Sequence, residues 1–287
     1  MRIRSFIPLV LLPSLSCEKP NDVTPEYPTY KHERPAWSND GLTIAFRAEI
    51  DGVLGMYAVD SSGSNLRRIY TGDAIGFSWS PDSKWIVFSQ SGNLYRIKYN
   101  GDSVVQITTS YRDLRPAWSR DGRRIATFRR SPEGGVYALK LDSMLLTRID
   151  AQGNYPSWDN LNRVVTISWN YVAFDNRYVN YLTAFSVDSS ESDLLSSFSS
   201  SQECSFPQIR SDGKEVAFVS FDGNNLPQIH LLNLSTQRIA QSTTDGGDAP
   251  SYSPDGNMIV YTRTAKGDGA LWVMNADGSN KRRLTSP

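Results

Sequence analysis

The sequence predicts an all-β fold, and more narrowly a single six-bladed β-propeller whose blades are four-stranded antiparallel sheets. Three observations predict it. A motif of the type Trp-Ser-x-Asp-Gly recurs six times in the 287 residues, a run of β-branched and aromatic residues follows each copy, and turn-forming residues separate the remaining runs. A repeat of about 40 to 45 residues is typical of propeller blades built of four strands.

One aromatic or apolar position marks each copy of the motif. It is occupied by Trp37, Trp79, Trp118, Trp158, Ile209 and Tyr252. The steps between these positions are 42, 39, 40, 51 and 43 residues, so we expect six blades in register. The expected blades span about 33–72, 73–109, 110–150, 151–200, 201–243 and 244–285. The longest step lies in the fourth blade, where Asn176–Asn180 and the Ser-rich stretch 189–201 lengthen the repeat.

The repeated tryptophans and aspartates have structural interpretations. Trp37, Trp79, Trp118 and Trp158 recur once per blade, and we expect them to pack between neighbouring blades; stacking against a sugar is the alternative. The motif aspartates are Asp40, Asp82, Asp121, Asp212 and Asp255. Each lies in a predicted hairpin turn, where an Asp side chain accepts local backbone hydrogen bonds. We therefore expect a turn-forming role for these carboxylates, although they could also form a ring of ligands.

Two further strands follow the motif hairpin in each blade. Gly55–Val59 and Leu66–Tyr70 are examples, and the tight turn between them contains Ser61-Ser62-Gly63. One window is ambiguous, because the leucines at 139–146 together with Ile149 could also occupy one face of a helix. Their register within the repeat favours two strands.

The recurring Trp-Ser-Pro-Asp-Gly motif, the Ile-Ala-Phe type of strand and the closing Arg-Arg-Leu-Thr resemble the TolB-type family of propeller repeats, which are similar to WD repeats. The resemblance covers about residues 33–285 and implies a propeller that binds a partner. Blades four and five depart from it, since Asp159-Asn160-Leu161-Asn162 replaces the usual turn and Ile209 replaces Trp. The family's additional N-terminal α/β domain is not expected in this chain, so the resemblance concerns the propeller alone.

The N-terminus has the order of a secretory signal. Arg2 and Arg4 precede an apolar stretch at 6–12, and small residues precede Cys17. This arrangement resembles a bacterial lipoprotein signal, which implies cleavage after residue 16 and lipid attachment (palmitate or a related acyl chain) at Cys17. Ordinary secretory cleavage remains the alternative. Residues 17–32 are polar and contain three prolines, which predicts a tether. We expect a lipid-anchored envelope protein, at the outer membrane facing the periplasm or the cell surface.

Composition argues against several classes of function. Lys and Arg total 30, as do Asp and Glu, which leaves no surplus of positive charge for nucleic acid. Cys17 and Cys204 are too few for a zinc site, and Asp60–Asn65 and Asn275–Asn280 lack the spacing of a calcium-binding EF-hand. Neither His32 nor His230 has the sequence context of a catalytic triad. We therefore predict no enzyme, no metal and no cofactor.

The loops that lead into the motif strands should surround a central channel, where propellers often bind ligands. The candidate binding residues there are Arg34, Asp73, Tyr111, Arg112, Asp113, Arg115, Asp245 and Asp248. Mixed charge with a tyrosine suits a protein or peptide partner, and a solvated rim without a binding role explains it equally well. We expect a monomeric lipoprotein that serves as a protein-interaction platform in the envelope. The alternatives are a glycan- or small-ligand-binding lipoprotein that works with a transporter, and an accessory module of a hydrolase.

Overall fold

The computed structural model describes residues 32–174, 177–189, 191–200, 203–265 and 269–286. The predicted signal peptide at 1–16, the lipid-attachment residue Cys17 and the rest of the predicted tether up to residue 31 lie outside this part of the chain. None of the described residues forms a helix that is long and apolar enough to cross a membrane.

The described residues form six four-stranded antiparallel sheets, each built from consecutive strands, which confirms the predicted propeller. Blade 1 contains β1 (His32–Trp37), β2 (Thr43–Ile50), β3 (Val53–Asp60) and β4 (Arg67–Thr71). Blade 2 contains β5 (Ile75–Trp79), β6 (Trp85–Gln90), β7 (Asn93–Lys98) and β8 (Val105–Gln106). Blade 3 contains β9 (Asp113–Trp118), β10 (Arg124–Arg129), β11 (Gly135–Lys140) and β12 (Leu146–Asp150). The ambiguous window at 139–149 therefore belongs to two strands.

The second half of the ring repeats this organisation. Blade 4 contains β13 (Asn154–Trp158), β14 (Val164–Val172), β15 (Arg177–Phe185) and β16 (Ser192–Ser200). Blade 5 contains β17 (Ser205–Ile209), β18 (Glu215–Phe221), β19 (Pro227–Asn233) and β20 (Arg238–Gln241). Blade 6 contains β21 (Asp248–Tyr252), β22 (Met258–Thr262), β23 (Leu271–Asn275) and β24 (Arg282–Arg283). The Ser-rich stretch thus supplies the outer strand of blade 4.

The hydrophobic core lies between the blades. Trp37 packs in one cluster with Val260 and Leu271 of blade 6, and Trp79 packs with residues of blades 1 and 2. The indole Nε1 of Trp79 donates to the carbonyl of Ala36 in the preceding blade at 3.0 Å. These contacts bury apolar area that no single sheet could bury alone.

The ring closes by packing of blade 1 against blade 6, without a shared strand among the described residues. The backbone N–H of Trp37 donates to Ser251 Oγ at 3.1 Å, and that of Arg34 donates to Thr262 Oγ1 at 3.2 Å. Side-chain hydroxyls of one blade therefore satisfy backbone donors of the next.

The motif turns are held by hydrogen bonds between side chains and the backbone. In blade 2, Ser80 Oγ donates to Asp82 Oδ1 at 2.6 Å and accepts the N–H of Trp85 at 2.9 Å. The bond from Ser80 lowers the pKa of Asp82. The same serine and aspartate pair occurs in blades 1, 3 and 6. In blade 5, Arg210 replaces the serine and its guanidinium binds Asp212.

Candidate functional site

The innermost strand of every blade lines the central channel and contains a bulge at the same place. Three residues before the motif aromatic, the backbone adopts a positive φ of 47° to 63°. These residues are Arg34, Gly76, Arg115, Tyr155, Phe206 and Ala249. The pairing between the first and second strands shifts register at each of them. In five blades a proline follows, which a bulge tolerates because the ladder is already interrupted there.

All six left-handed residues line a cavity of about 100 Å³ on the channel axis, which we call the constriction. Gly76 and Ala249 contribute almost no side chain, so Arg34, Arg115, Tyr155 and Phe206 provide its large groups. The constriction shares lining residues with a wider cavity of about 440 Å³, the vestibule, at the end of the channel that carries the motif turns. The channel is therefore continuous and narrows toward its other end.

Two guanidinium groups flank two aromatic rings in the constriction. The guanidinium of Arg115 lies over the ring of Tyr155, with 3.8 Å from Cζ to the ring centroid. Its Nη1 donates to Asn154 Oδ1 and its Nη2 donates to Tyr155 Oη at 3.2 Å. The ring centroids of Tyr155 and Phe206 are 4.6 Å apart, and the guanidinium of Arg34 lies 6.0 Å from the Phe206 ring. Cation–π contacts of this kind strengthen when the groups are desolvated.

The constriction is a desolvated and positively charged site. Burial lowers the pKa of Arg115, and the positive charge of Arg34 lowers it further. Burial also raises the pKa of Tyr155. Asp248 lies beside Arg34, and burial raises the pKa of this carboxyl although the guanidinium opposes the shift. Neither arginine forms an ion pair within 4.0 Å with a carboxylate of the described residues.

The candidate binding residues from the sequence divide into three groups. Arg34 and Arg115 line the constriction, and Asp248 interacts electrostatically with Arg34. Asp73, Asp113 and Asp245 instead form ion pairs with arginines of the second strands or the following loop: Asp73 binds Arg47 at 2.8 Å, Asp113 binds Arg129 at 2.8 Å and Asp245 binds Arg263 at 2.5 Å. Asp113 is completely buried, so its carboxylate is part of the fold. Tyr111 and Arg112 are exposed on the rim of blade 3.

Sequence reasoning did not identify Asn154, Tyr155 and Phe206 as site residues. The signal was present, because Tyr155 and Phe206 stand three residues before the motif position in blades 4 and 5, as Arg34 and Arg115 do in blades 1 and 3. An alignment of the six repeats would have placed these residues in one layer.

Blade 4 carries an extended hairpin beside the constriction. β14 and β15 have nine residues each, and their turn lies on the face where the innermost strands begin, which we call the mouth face. Trp169, Tyr171 and Tyr178 form an aromatic cluster on this hairpin, with ring centroids 5.2 to 5.4 Å apart. Phe174 near the tip is 98% exposed. Glu203 interacts electrostatically with Arg115 of the constriction and with Tyr178 of this hairpin.

The sequence predicts neither a metal site nor a catalytic role for His230. Within the described ranges, no group of three or more His, Cys, Asp or Glu residues could hold a metal ion. His230 lies in β19, where its ring stacks on Phe218 at 5.5 Å and its Nδ1 is 3.1 Å from the carbonyl of Gln228. Burial lowers the pKa of His230, so the imidazole is neutral at pH 7.

Comparisons with known proteins agree with this fold. The family model described as the TolB beta propeller domain matches residues 171–287. The chain is 25% identical over 217 residues to the Tol-Pal system protein TolB of Francisella tularensis subsp. mediasiatica, which covers 71% of this chain and 48% of that protein. The chain thus spans about half the length of the curated relatives it matches.

Solved structures show the same architecture at low identity. TolB from Acinetobacter baumannii superposes with a TM-score of 0.67 and 16% identity, covering 86% of this chain and 61% of that one. An oligogalacturonate lyase from Vibrio parahaemolyticus superposes with a TM-score of 0.58 and 13% identity, covering 86% of this chain and 89% of that one. The described part of this chain is a six-bladed β-propeller, and its second half matches the model of the TolB beta propeller domain.

Proposed function

We propose that this protein is a non-catalytic lipoprotein of the bacterial cell envelope that uses the mouth face of its propeller to bind another protein. The observation that carries the proposal is the constriction, where two arginines and two aromatic rings converge and no carboxylate of the described ranges forms an ion pair with either arginine. Arginine and aromatic residues are enriched among the residues that dominate binding energy at protein interfaces. Tyr111, Arg112 and Phe174 would surround this centre as a solvent-exposed rim.

The proposed location rests on two supports. The sequence before Cys17 resembles a lipoprotein signal, and the relatives that the chain matches are named as proteins of the Tol-Pal system. Acylation of Cys17 would attach the propeller to a membrane through the tether at 17–32, because two or more acyl chains give stable anchoring. We expect Cys17→Ala to shift the full-length protein from the membrane fraction to the soluble fraction. Equal partition of both proteins would contradict lipid anchoring.

The interaction role can be tested by crosslinking in intact cells that express the full-length chain. The variant combines Arg34→Gln with Arg115→Gln, and the control combines Arg238→Gln with Arg282→Gln. Both control residues are exposed on outer strands, so the net charge changes equally while the mouth face stays intact. We expect one dominant envelope protein to be captured by the wild type and the control, with capture reduced in the variant. If no protein is enriched over an unrelated lipoprotein, the proposed function is wrong.

A further inference from the structure

The two arginines of the constriction have an unusual electrostatic setting. They stand on blades 1 and 3, and Gly76 of blade 2 places no side chain between them. Their like charges repel, so the positive charge of Arg34 lowers the pKa of Arg115. Bringing two such cations together in a partly desolvated channel is unfavourable unless an anion joins them.

Among the described residues, no carboxylate forms an ion pair with either arginine. Glu33 is occupied by Arg47, with 3.0 Å between Oε2 and Nη1. Asp248 interacts electrostatically with Arg34 but forms no ion pair within 4.0 Å among the described residues. Its Oδ1 accepts the N–H of Ala249 at 2.8 Å. Glu203, which also interacts with Arg115, is exposed. A second negative charge placed between the guanidiniums would therefore be stabilised by both.

The free donors of the two guanidiniums indicate the chemistry of that anion. Arg115 uses one N–H on each Nη for Asn154 and Tyr155, which fixes its plane and leaves three of an arginine's five donors. The guanidinium of Arg34 donates no hydrogen bond to the described residues. Planar guanidinium forks bind carboxylates through two parallel hydrogen bonds, and such charge-assisted bonds are strong.

The size of the constriction limits what can carry the carboxylate. Its volume of about 100 Å³ is below the roughly 150 Å³ of an engineered protein cavity that holds a benzene ring. A single acidic side chain fits this space, whereas the ring of a sugar acid would have to extend into the vestibule. The geometry points to Arg34 and Arg115 as a receptor for the carboxylate of one Asp or Glu side chain, presented by an extended segment of the protein partner. This inference rests on the proposed function and specifies what the mouth face recognises.

The blade 4 hairpin supports an extended segment as the carrier. Its aromatic cluster and the exposed Phe174 stand on the same face as the constriction. A peptide whose acidic side chain enters the constriction would place neighbouring residues against this aromatic surface. Contiguous exposed apolar patches on a protein surface mark interaction sites.

The inference can be tested with three synthetic heptapeptide pools on the immobilised full-length protein. The pools share randomised flanks and differ only in a central Glu, Gln or Lys. We expect the Glu pool to bind at least tenfold more tightly than the Gln pool, and the Lys pool not to bind. The preference should vanish in the Arg34→Gln and Arg115→Gln variants and persist in the Arg238→Gln control.

Two further variants separate recognition from folding. The Arg34 side chain donates no hydrogen bond and forms no ion pair within the described part of the chain, and its ring contact is 6.0 Å long. The thermal midpoint of Arg34→Gln should therefore stay close to that of the wild type while binding of the Glu pool falls. At a pH above the raised pKa of Asp248, Asp248→Asn removes a negative charge that competes for Arg34, and we expect tighter binding of the Glu pool there. Such a gain of affinity cannot result from misfolding.

The possible outcomes separate the inference from the proposed function. Equal binding of the Glu and Gln pools, or stronger binding of trigalacturonate than of the Glu pool, overturns the carboxylate receptor for a protein side chain. If the variant that combines Arg34→Gln with Arg115→Gln still captures the same envelope protein from cells, the proposed interaction role is supported and the carboxylate receptor is refuted. If the wild type neither binds the Glu pool nor captures an envelope protein, both the carboxylate receptor and the proposed function are refuted.

Discussion

Asp113 tests whether a carboxylate that the sequence places among the binding residues instead stabilises the fold. Its carboxylate is completely buried and accepts bonds from Arg129 Nε at 2.8 Å, Arg129 Nη2 at 3.2 Å and Ser110 Oγ at 2.5 Å. Asp113→Asn removes the negative charge and leaves the Arg129 guanidinium, which is 19% exposed, without its partner. We therefore expect a loss of stability, although the sequence alone places Asp113 among the binding residues.

The magnitude follows from burial. Removing one partner of a buried ion pair lowers the free energy of unfolding by about 3–5 kcal/mol. Because water can still reach part of Arg129, we expect the lower end of this range, about 3 kcal/mol, for Asp113→Asn. The matched control is Asp245→Asn, because Asp245 also pairs with an arginine but is 45% exposed. Exposed pairs contribute less than about 1 kcal/mol. The two variants remove the same charge, so their difference isolates burial.

Equilibrium unfolding in urea, followed by the fluorescence of the seven tryptophans, measures the effect. With an m-value of about 3 kcal/mol per molar, Asp113→Asn should lower the midpoint by about 1 M, and Asp245→Asn by no more than about a third of that. The double variant Asp113→Leu with Arg129→Met should recover part of the loss, since apolar replacement of both partners is often tolerated. Equal midpoints for Asp113→Asn and Asp245→Asn would refute the reasoning.

Three further predictions concern single side chains. Burial raises the pKa of Asp248, so the folded protein retains a proton that the unfolded chain loses, and stability falls as the pH rises through the folded pKa. Asp248→Asn should reduce the fall of the thermal midpoint between about pH 4 and pH 7, and an unchanged profile would contradict this. Ser80→Ala removes the hydroxyl that donates to Asp82, and urea unfolding should show a free energy of unfolding lower by about 1–2 kcal/mol. An unchanged free energy of unfolding would mean that the turn does not depend on this hydroxyl. Burial raises the pKa of the Cys204 thiol to about 11. In the Cys17→Ala chain, a disulfide reagent at about pH 8 should therefore label no thiol until urea unfolds the protein, and rapid labelling of the folded chain would oppose this.

The aromatic hairpin of blade 4 shows how far the repeat pattern reaches. The step of 51 residues indicates that this blade is longer than the others. It does not indicate which strands lengthen, and Ser-rich segments are usually assigned to loops. In the structure the Ser-rich stretch pairs along β15 as the outer strand, which lets β14 and β15 extend on the mouth face. The neighbouring strand decided the conformation of a segment whose own propensity is weak.

The sequence by itself determines the architecture, because the six motif copies each encode a hairpin and the apolar runs between them each encode a strand. Those are local properties, set by turn chemistry within a few residues and by alternation along a strand. It also identifies Arg34 and Arg115 as residues shortly before the motif positions of blades 1 and 3. Only the tertiary structure decides that these two meet Tyr155 and Phe206 in one layer, since closing the ring brings equivalent positions of distant blades to a common axis. It likewise decides that Asp73, Asp113 and Asp245 are bound to arginines across the strands, because ion pairing depends on distances that the spacing of residues in the chain does not fix.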